Sequence, residues 1–306
     1  MSGKTLYYHL VTFIVVVIWG STFVFTKMLL LSGLSPAVIF TLRFIIAYVL
    51  LMGFSLMRNG HRWWCASWRD ELLMAGLGVT GGSLYFLVEN EALRYTTTTN
   101  TSLIVCSCPL FASLLIGWFY RSQRLGRVQM AGMLVAVVGL VLVVMNGHFV
   151  LHLSPLGDTL AFGACLCWAV YSLLIIPANQ RYNAVFITRK VFFYGLLTIV
   201  PYFLWVEPFD VSVLSTMSAS VWLNLLYLGI VASMLCFLLW TWVMDKLGAI
   251  VATNYVFVNP VSTIIFAWWL LDEPITPWFL LGTLLILVGM YLCDKHGDSV
   301  SKSLAE

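Results

Sequence analysis

Long apolar runs separated by short polar connections dominate the chain. Each run is about 20 residues long, enough for a helix to cross the hydrocarbon core of a bilayer. The runs, numbered here as spans 1 to 10, cover residues 9–31, 36–57, 72–93, 97–120, 127–146, 157–177, 184–206, 220–244, 249–271 and 277–293. The longest connection, 58–71, is too short to form a soluble domain. The pattern predicts an all-α integral membrane protein with ten transmembrane helices.

The composition also indicates that most of the chain lies in a lipid bilayer. Hydrophobic residues make up 61% of the 306 residues and charged residues only 9%, against about 25% charged in an average soluble domain. A water-soluble fold needs a polar shell that this composition cannot supply. The net charge of +3 is too small and too scattered to indicate a nucleic-acid partner. The lipid bilayer is therefore the first predicted partner.

The cysteines and the known catalytic motifs give no sign of an enzyme. Most of the seven cysteines lie within apolar runs, which favours free thiols over a disulfide framework. The pairs Cys106/Cys108 and Cys165/Cys167 are two residues apart, and such residues point about 200° apart on a helix, so neither pair predicts a metal site. Nucleotide-binding, zinc-protease and serine-hydrolase motifs do not occur. We expect no cofactor, no metal ion and no catalytic residue.

Charged residues alternate between successive connections. The basic residues that precede span 1 or follow the even-numbered spans are Lys4, Arg58, Arg62, Arg69, Arg121, Arg124, Arg127, Arg181, Lys246, Lys295 and Lys302. The other connections carry mainly acidic residues, with Arg94 as the exception. Because basic connections remain in the cytoplasm, the pattern predicts a multi-pass protein of the cell (inner or plasma) membrane with both termini cytoplasmic.

The two halves of the chain repeat each other. The aligned pairs are Trp19 with Trp168, Pro109 with Pro260, Gly132 with Gly282, and Gly139 with Gly289. We predict a first repeat over 1–150, a second over 151–295 and a cytoplasmic tail over 296–306. Since each repeat has an odd number of spans, the second enters the membrane from the opposite side. Inverted repeats of this kind are typical of secondary transporters, whose binding site lies at the repeat interface.

Several motifs in a fixed order resemble a known family. They are WGSTF at 19–23, ALRYTTTTNTSLIVCSCP at 92–109, LGAIVATNYVFVNP at 247–260 and LDEPIT at 271–276. The chain is thus similar to EamA-type members of the drug/metabolite transporter superfamily, which have two five-helix repeats. One departure is that Glu273 of the second half has Gln123 at the equivalent position of the first. The resemblance implies export or exchange of small metabolites through a central cavity lined by spans 1, 3, 4, 6, 8 and 9.

Polar and aromatic side chains inside the spans are the candidate substrate-pathway residues, because such groups normally face the bundle interior. They are Trp19, Thr22, Tyr85, Glu89, Asn100, Ser107, Trp168, Tyr171 and Asn254. Pro109 and Pro260 interrupt spans 4 and 9 and are candidate hinges. Aromatic rings beside hydroxyl groups suit an amino-acid-like or an aromatic, amphipathic cargo. The alternatives are ordinary packing for the rings and interhelical hydrogen bonding for the asparagines.

Glu89 is the candidate proton carrier, which makes protons a further predicted partner. The alternative is a structural carboxyl group that pairs with Arg94. We expect Glu91 to lie at the interface and to pair with a basic residue. Arg43 and Lys190 are expected to reach toward headgroups or to pair with charges, rather than to bind substrate.

The leading interpretation of the sequence is a secondary transporter that exports a small organic metabolite by alternating access. Two other classes stay open at this point. A non-transporting membrane scaffold could retain the repeats and the buried polar groups. A lipid or headgroup flippase would need a polar cluster in a cleft at the level of the headgroups.

Overall fold

Ten helical spans make up the described part of the chain. The computed structural model describes residues 3–57, 63–96, 98–145, 154–210, 212–271 and 275–295. In order, the spans are Gly3–Leu31, Pro36–Met57, Trp68–Tyr95, Thr98–Val105 with Cys108–Phe119, Arg127–Met145, Pro155–Asn179, Ala184–Trp205, Ala219–Leu247, Ala249–Asn254 with Asn259–Leu271, and Pro277–Lys295. Eight of these are long and apolar enough to cross a bilayer, and spans 5 and 10 are shorter apolar helices. The described residues contain no strand, and the all-α prediction is confirmed.

Side-chain caps fix where several spans begin. Ser67 accepts a hydrogen bond from the Asp70 amide at 3.2 Å, and Asn183 accepts one from the Phe186 amide at 2.9 Å. Each cap satisfies a backbone donor that the first helical turn leaves free. For this reason span 3 begins at Trp68, four residues before the position that hydropathy alone predicts.

Irregular turns occur in spans that are equivalent in the two halves. Span 3 is kinked within Val79–Ser83, where Gly82 has non-helical backbone angles (φ −129°, ψ −109°), and span 8 contains a wide helical turn at Tyr227–Leu235. Span 4 is interrupted at residues 106–107, just before Pro109. Span 9 tightens to a 3-10 turn at Tyr255–Val258, just before Pro260. Irregular backbone therefore occurs in the same spans of both repeats.

Spans 5 and 10 pack closely through glycines. A Cβ atom added to Gly132 would lie 2.7 Å from the carbonyl oxygen of Gly289, and one added to Gly139 would lie 2.6 Å from that of Gly282. The contact joins the first glycine of one half to the second glycine of the other. This exchange is the relation expected of two antiparallel helices from inverted repeats.

Ion pairs join the two halves near the N-terminal ends of spans 3 and 7. We call the side on which span 1 begins the N-terminal side, and these pairs lie there. Lys190 Nζ is 2.8 Å from Glu71 Oε1, and Tyr194 donates a hydrogen bond to Glu71 Oε2 at 2.6 Å. Arg181 pairs with Asp70 in the same region. Lys190 thus pairs with a charge, one of the two outcomes expected for it.

Candidate functional site

A cavity lies at the centre of the bundle, where the two halves meet. Its lining residues come from spans 1, 2, 3, 4, 6, 8 and 9: Trp19, Thr22, Phe23, Arg43, Tyr85, Phe86, Glu89, Val105, Cys108, Trp168, Phe237, Val256 and Asn259. Its volume is about 40 Å³, which is room for a few water molecules. A drug-sized ligand site is several times larger, so the cavity in this conformation is too small for an organic cargo.

Tryptophans from the two halves form one wall of this cavity. The rings of Trp19 and Trp168 meet edge to face, with centroids 5.3 Å apart. Trp19 Nε1 donates a hydrogen bond to the carbonyl oxygen of Ala232 at 2.9 Å, and Ala232 lies in the wide turn of span 8. The ring of Tyr85 lies 5.2 Å from that of Trp168. Such a wall favours apolar or aromatic groups by burial and edge-to-face contact.

Two opposite charges face the cavity without forming an ion pair with each other. Glu89 Oε1 accepts a hydrogen bond from the Tyr85 hydroxyl at 2.9 Å, and Arg43 Nε donates one to Ser233 Oγ at 2.9 Å. Arg43 is 2% exposed and Glu89 is 8% exposed. The ion pairs among the described residues do not include a contact between them. The cavity therefore offers an anionic and a cationic group at separate positions.

The two interrupted spans contribute to the cavity in the same way. Proline cannot donate a hydrogen bond to the carbonyl group four residues earlier. For Pro109 that residue is Val105, and for Pro260 it is Val256. Both valines line the cavity. The breaks in spans 4 and 9 thus lie at the cavity, at equivalent positions of the two repeats.

Buried polar atoms in the lining also lack hydrogen-bond partners. Trp168 Nε1 and Asn259 Oδ1 have no partner among the described residues, and both residues line the cavity. Leaving a buried polar atom unsatisfied costs about 1–3 kcal/mol. Both atoms are covered in this conformation, so a partner could reach them only if the cavity widened.

Five of the nine predicted pathway residues line the cavity: Trp19, Thr22, Tyr85, Glu89 and Trp168. The other four do not contribute described lining atoms. Tyr171 packs against Gly81, Ser107 lies 3.6 Å from Cys165 Sγ, Asn254 borders a different pocket near His9, and the side chain of Asn100 lies outside the described residues.

Arg43 and Asn259 line the cavity although they were not among the predicted pathway residues. Arg43 was expected to reach toward headgroups or to pair with a charge, but it lies in the cavity and donates a hydrogen bond to Ser233 of the second half. Asn259 directly precedes Pro260, and a polar side chain beside a proline inside a span could have been predicted to line the cavity. Glu89 does not pair with Arg94, whose guanidinium lies 3.3 Å from Glu91 instead. Glu273 lies outside the described residues.

Comparison with known proteins gives a family match over most of the chain. The model of the EamA-like transporter family matches twice, at residues 6–145 and 155–293. An uncharacterized transporter of Archaeoglobus fulgidus is 28% identical over 95% of this chain and 98% of its own length. A probable amino-acid metabolite efflux pump of Salmonella typhimurium is 26% identical over 91% of this chain and 92% of its own. A probable terminal-alkyne amino-acid exporter of Streptantibioticus cattleyicolor is 25% identical over 74% of each chain.

A solved crystal structure has a similar fold. It superposes with a TM-score of 0.73 over 94% of this chain and 96% of its own chain. Sequence identity is 18%, so the similarity concerns the fold alone.

Proposed function

Because the chain belongs to the EamA-like transporter family, we propose that it is a secondary transporter that exports small amino acids with apolar or aromatic side chains. One observation carries this proposal. Arg43 and Glu89 face the same aromatic cavity and do not pair with each other. The relatives from Salmonella typhimurium and Streptantibioticus cattleyicolor, named as a probable amino-acid metabolite efflux pump and a probable amino-acid exporter, support the same cargo class.

A zwitterion matches the charges of the cavity. Its carboxylate would accept hydrogen bonds from the Arg43 guanidinium, and its ammonium group would donate to Glu89. Both contacts are charge-assisted, which makes them stronger than neutral hydrogen bonds. The cargo's side chain would lie against Trp19 and Trp168, where burial of apolar surface favours binding. A cargo with only one charge would leave one of the two protein charges unpaired.

Transport requires the cavity to widen and to open to each side in turn. The breaks before Pro109 and Pro260 supply points at which spans 4 and 9 can change direction. On the N-terminal side, opening would separate spans 3 and 7 and break the contact between Glu71 and Lys190. We assign the N-terminal side to the cytoplasm of a cell with the protein in its inner or plasma membrane, from the charge pattern of the connections.

Glu89 is the group that would couple export to proton entry. It is the carboxyl group among the described residues that line the cavity, so proton binding and cargo binding would occur at one place. An ammonium group of the cargo and a proton would then compete for the same carboxylate. Competition at a single site is enough to couple two opposite fluxes when the site faces one side at a time.

The proposal is tested by efflux from proteoliposomes loaded with an equimolar mixture of amino acids and of the corresponding amines without a carboxylate. We expect amino acids with apolar or aromatic side chains to leave faster than through protein-free liposomes. Arg43→Gln should slow their efflux about tenfold or more, because a hydrogen bond to a charged group contributes about 1.5–3 kcal/mol.

The matched control is Arg69→Gln, which removes an exposed positive charge outside the cavity. Because Arg43 is buried, Arg43→Gln is judged by the ratio of amino-acid to amine efflux after the efflux from protein-free liposomes has been subtracted from each, since partial loss of folded protein does not change that ratio. No efflux of any amino acid from liposomes with correctly inserted parent protein would reject the proposed cargo.

A further inference from the structure

The lining of the central cavity divides into two sets when the repeat alignment is applied to it. The alignment extends to spans 3 and 8, where Gly78 matches Gly229 and Phe86 matches Phe237. In the first set, both members of each aligned pair line the cavity. Its pairs are Trp19 with Trp168, Phe86 with Phe237, Val105 with Val256, and Cys108 with Asn259. We call these residues, which come equally from the two halves, the shared lining.

The second set comes from the first half alone. Its members are Thr22, Phe23, Arg43, Tyr85 and Glu89. Thr22 and Glu89 lie beyond the shared lining on spans 1 and 3, which run away from the N-terminal side. The cavity in this conformation is therefore the shared lining extended toward one side of the membrane.

The equivalents of the second set in the other half are buried outside the cavity. They are Tyr171, Ser172, Lys190, Cys236 and Trp240, here called the mirrored set. Each is at most 4% exposed. Tyr171 and Trp240 follow Trp168 and Phe237 on spans 6 and 8, which run toward the N-terminal side. The inversion of the second half thus places the mirrored set across the shared lining from the second set.

The hydrogen bonds of the two halves differ as a one-sided cavity predicts. Trp19 Nε1 donates to the carbonyl oxygen of Ala232 at 2.9 Å. The equivalent donor, Trp168 Nε1, has no partner among the described residues, and its equivalent acceptor would be the carbonyl oxygen of Gly81. Trp240 Nε1 of the mirrored set also lacks a partner within the described part of the chain. Since a buried donor without a partner is unfavourable, both indoles would gain from a rearrangement that hydrates the N-terminal side.

We propose that the mirrored set joins the shared lining when the protein opens to the N-terminal side, and that Trp168 Nε1 then donates to the Gly81 carbonyl oxygen. Lys190 enters this lining only after its ion pair with Glu71 has separated. The inference rests on the proposed alternating access but not on the identity of the cargo. Trp240, whose ring centroid lies 4.9 Å from that of Trp19, would give the cargo's side chain an aromatic contact on this side as well.

The cysteine of the mirrored set makes the proposal testable without a substitution. The purified protein is reconstituted in liposomes and a small membrane-impermeant methanethiosulfonate is added on the N-terminal side or on the other side. Mass spectrometry of the digested protein then gives the labelling rate of each cysteine. Cys165 is the matched control, because it is as buried as Cys236 and its equivalent, Val16, does not line the cavity. Cys236 should be labelled from the N-terminal side about tenfold faster than Cys165 or more, since a thiol that stays buried is inert.

A pair of variants changes how often the N-terminal side opens. Glu71→Gln weakens the contacts of Glu71 with Lys190 and Tyr194, so it should raise the labelling rate of Cys236 about fivefold or more. Glu91→Gln removes a carboxyl group near the opposite end of span 3 and should leave that rate unchanged. The proposal is wrong if Cys236 is labelled no faster than Cys165 in both the parent and Glu71→Gln, or equally fast from the two sides. The measurement needs no cargo, so a failure to export amino acids would reject the proposed cargo without changing this result.

Discussion

Glu89 and Arg43 are each held by a neutral hydroxyl group, Tyr85 for the carboxylate and Ser233 for the guanidinium. A carboxylate can accept about four hydrogen bonds and a guanidinium can donate five. Each group therefore keeps most of its hydrogen-bonding capacity for a ligand, while one hydrogen bond holds it in position and the Phe86 ring, 4.5 Å from the guanidinium carbon, also supports Arg43. If the two groups formed an ion pair with each other, neither would be available to a charged ligand.

At the scale of this one carboxyl group, we expect Glu89→Gln to abolish transport driven by a pH gradient. Glutamine has nearly the same shape and can still accept a hydrogen bond from Tyr85, but it cannot bind and release a proton. The measurement is amino-acid flux in proteoliposomes with an imposed pH gradient, compared with exchange of cargo in its absence. Exchange should persist in part.

The control for this prediction is Glu91→Gln, which removes a carboxyl group that pairs with Arg94. It should respond to the gradient as the parent does. A Glu89→Gln protein that responds as strongly as the parent would exclude this residue as the proton carrier.

Sequence reasoning identified Glu89 but not Arg43, for a physical reason. A carboxyl group inside an apolar run is costly to expose to lipid. It can therefore be predicted to face the bundle interior even when its neighbours are unknown. An arginine two turns from a span end can reach the headgroups or face inward with the same local sequence. Only the contact with Ser233, which lies in the other half, distinguishes the two.

At the scale of helices, spans 5 and 10 should tolerate no side chain at their glycine contacts. In Gly139→Ala the new Cβ would lie 2.6 Å from the Gly282 oxygen and 2.7 Å from the Ile286 nitrogen, and these backbone atoms cannot move without separating the helices. We expect a loss of about 1–3 kcal/mol in stability, the usual effect of overpacking. Thermal unfolding of the purified protein measures it.

Gly163→Ala is the control, because an added Cβ there meets nothing within 4 Å. Alanine favours a helix by about 0.5–1 kcal/mol relative to glycine, so this variant should be as stable as the parent or slightly more. Equal melting temperatures for Gly139→Ala and Gly163→Ala would contradict the described packing.

The interrupted helices lead to a kinetic prediction. Pro109→Ala and Pro260→Ala restore a backbone donor at each break, which should favour continuous helices and slow the change between inward-open and outward-open states. We expect normal insertion and slower transport in both variants, with cargo binding retained. Transport at the parent rate in both would argue against a hinge role for these prolines.

At the scale of the whole molecule, hydropathy and the internal repeat were sufficient to predict the fold. The ten spans follow from run length, and the two-half organisation follows from the aligned prolines and glycines. The kink within Val79–Ser83 could not be located from hydropathy. The adjacent glycines Gly81 and Gly82 allow a bend there, but whether the helix bends depends on packing such as that of Gly78 against Tyr194.

Orientation in the membrane is a prediction for the whole molecule. A cysteine introduced at Ser122, an exposed residue between spans 4 and 5, should not react with an impermeant maleimide in intact cells, because the charge pattern predicts that the basic connections are cytoplasmic. It should react after the cells are opened. Rapid labelling in intact cells would show that this connection is extracellular, which is the opposite of the predicted orientation.

The native thiols give little background in this experiment. Burial, together with the negative charge of Glu71, raises the pKa of Cys65 to about 11, so its reactive thiolate is scarce at neutral pH. The parent protein without the added cysteine is the control for the remaining thiols.

The glycine contact between spans 5 and 10 also constrains how such a chain could have been built. Half of the chain alone would present the glycines of span 5 with no antiparallel partner inside the same half. A second copy could supply that partner only if it were inserted in the bilayer with the opposite orientation. A gene for one half would therefore yield a working pair only if its product inserted in both directions at comparable frequency. Joining two halves in one polypeptide removes that requirement, since the odd number of crossings inverts the second half automatically.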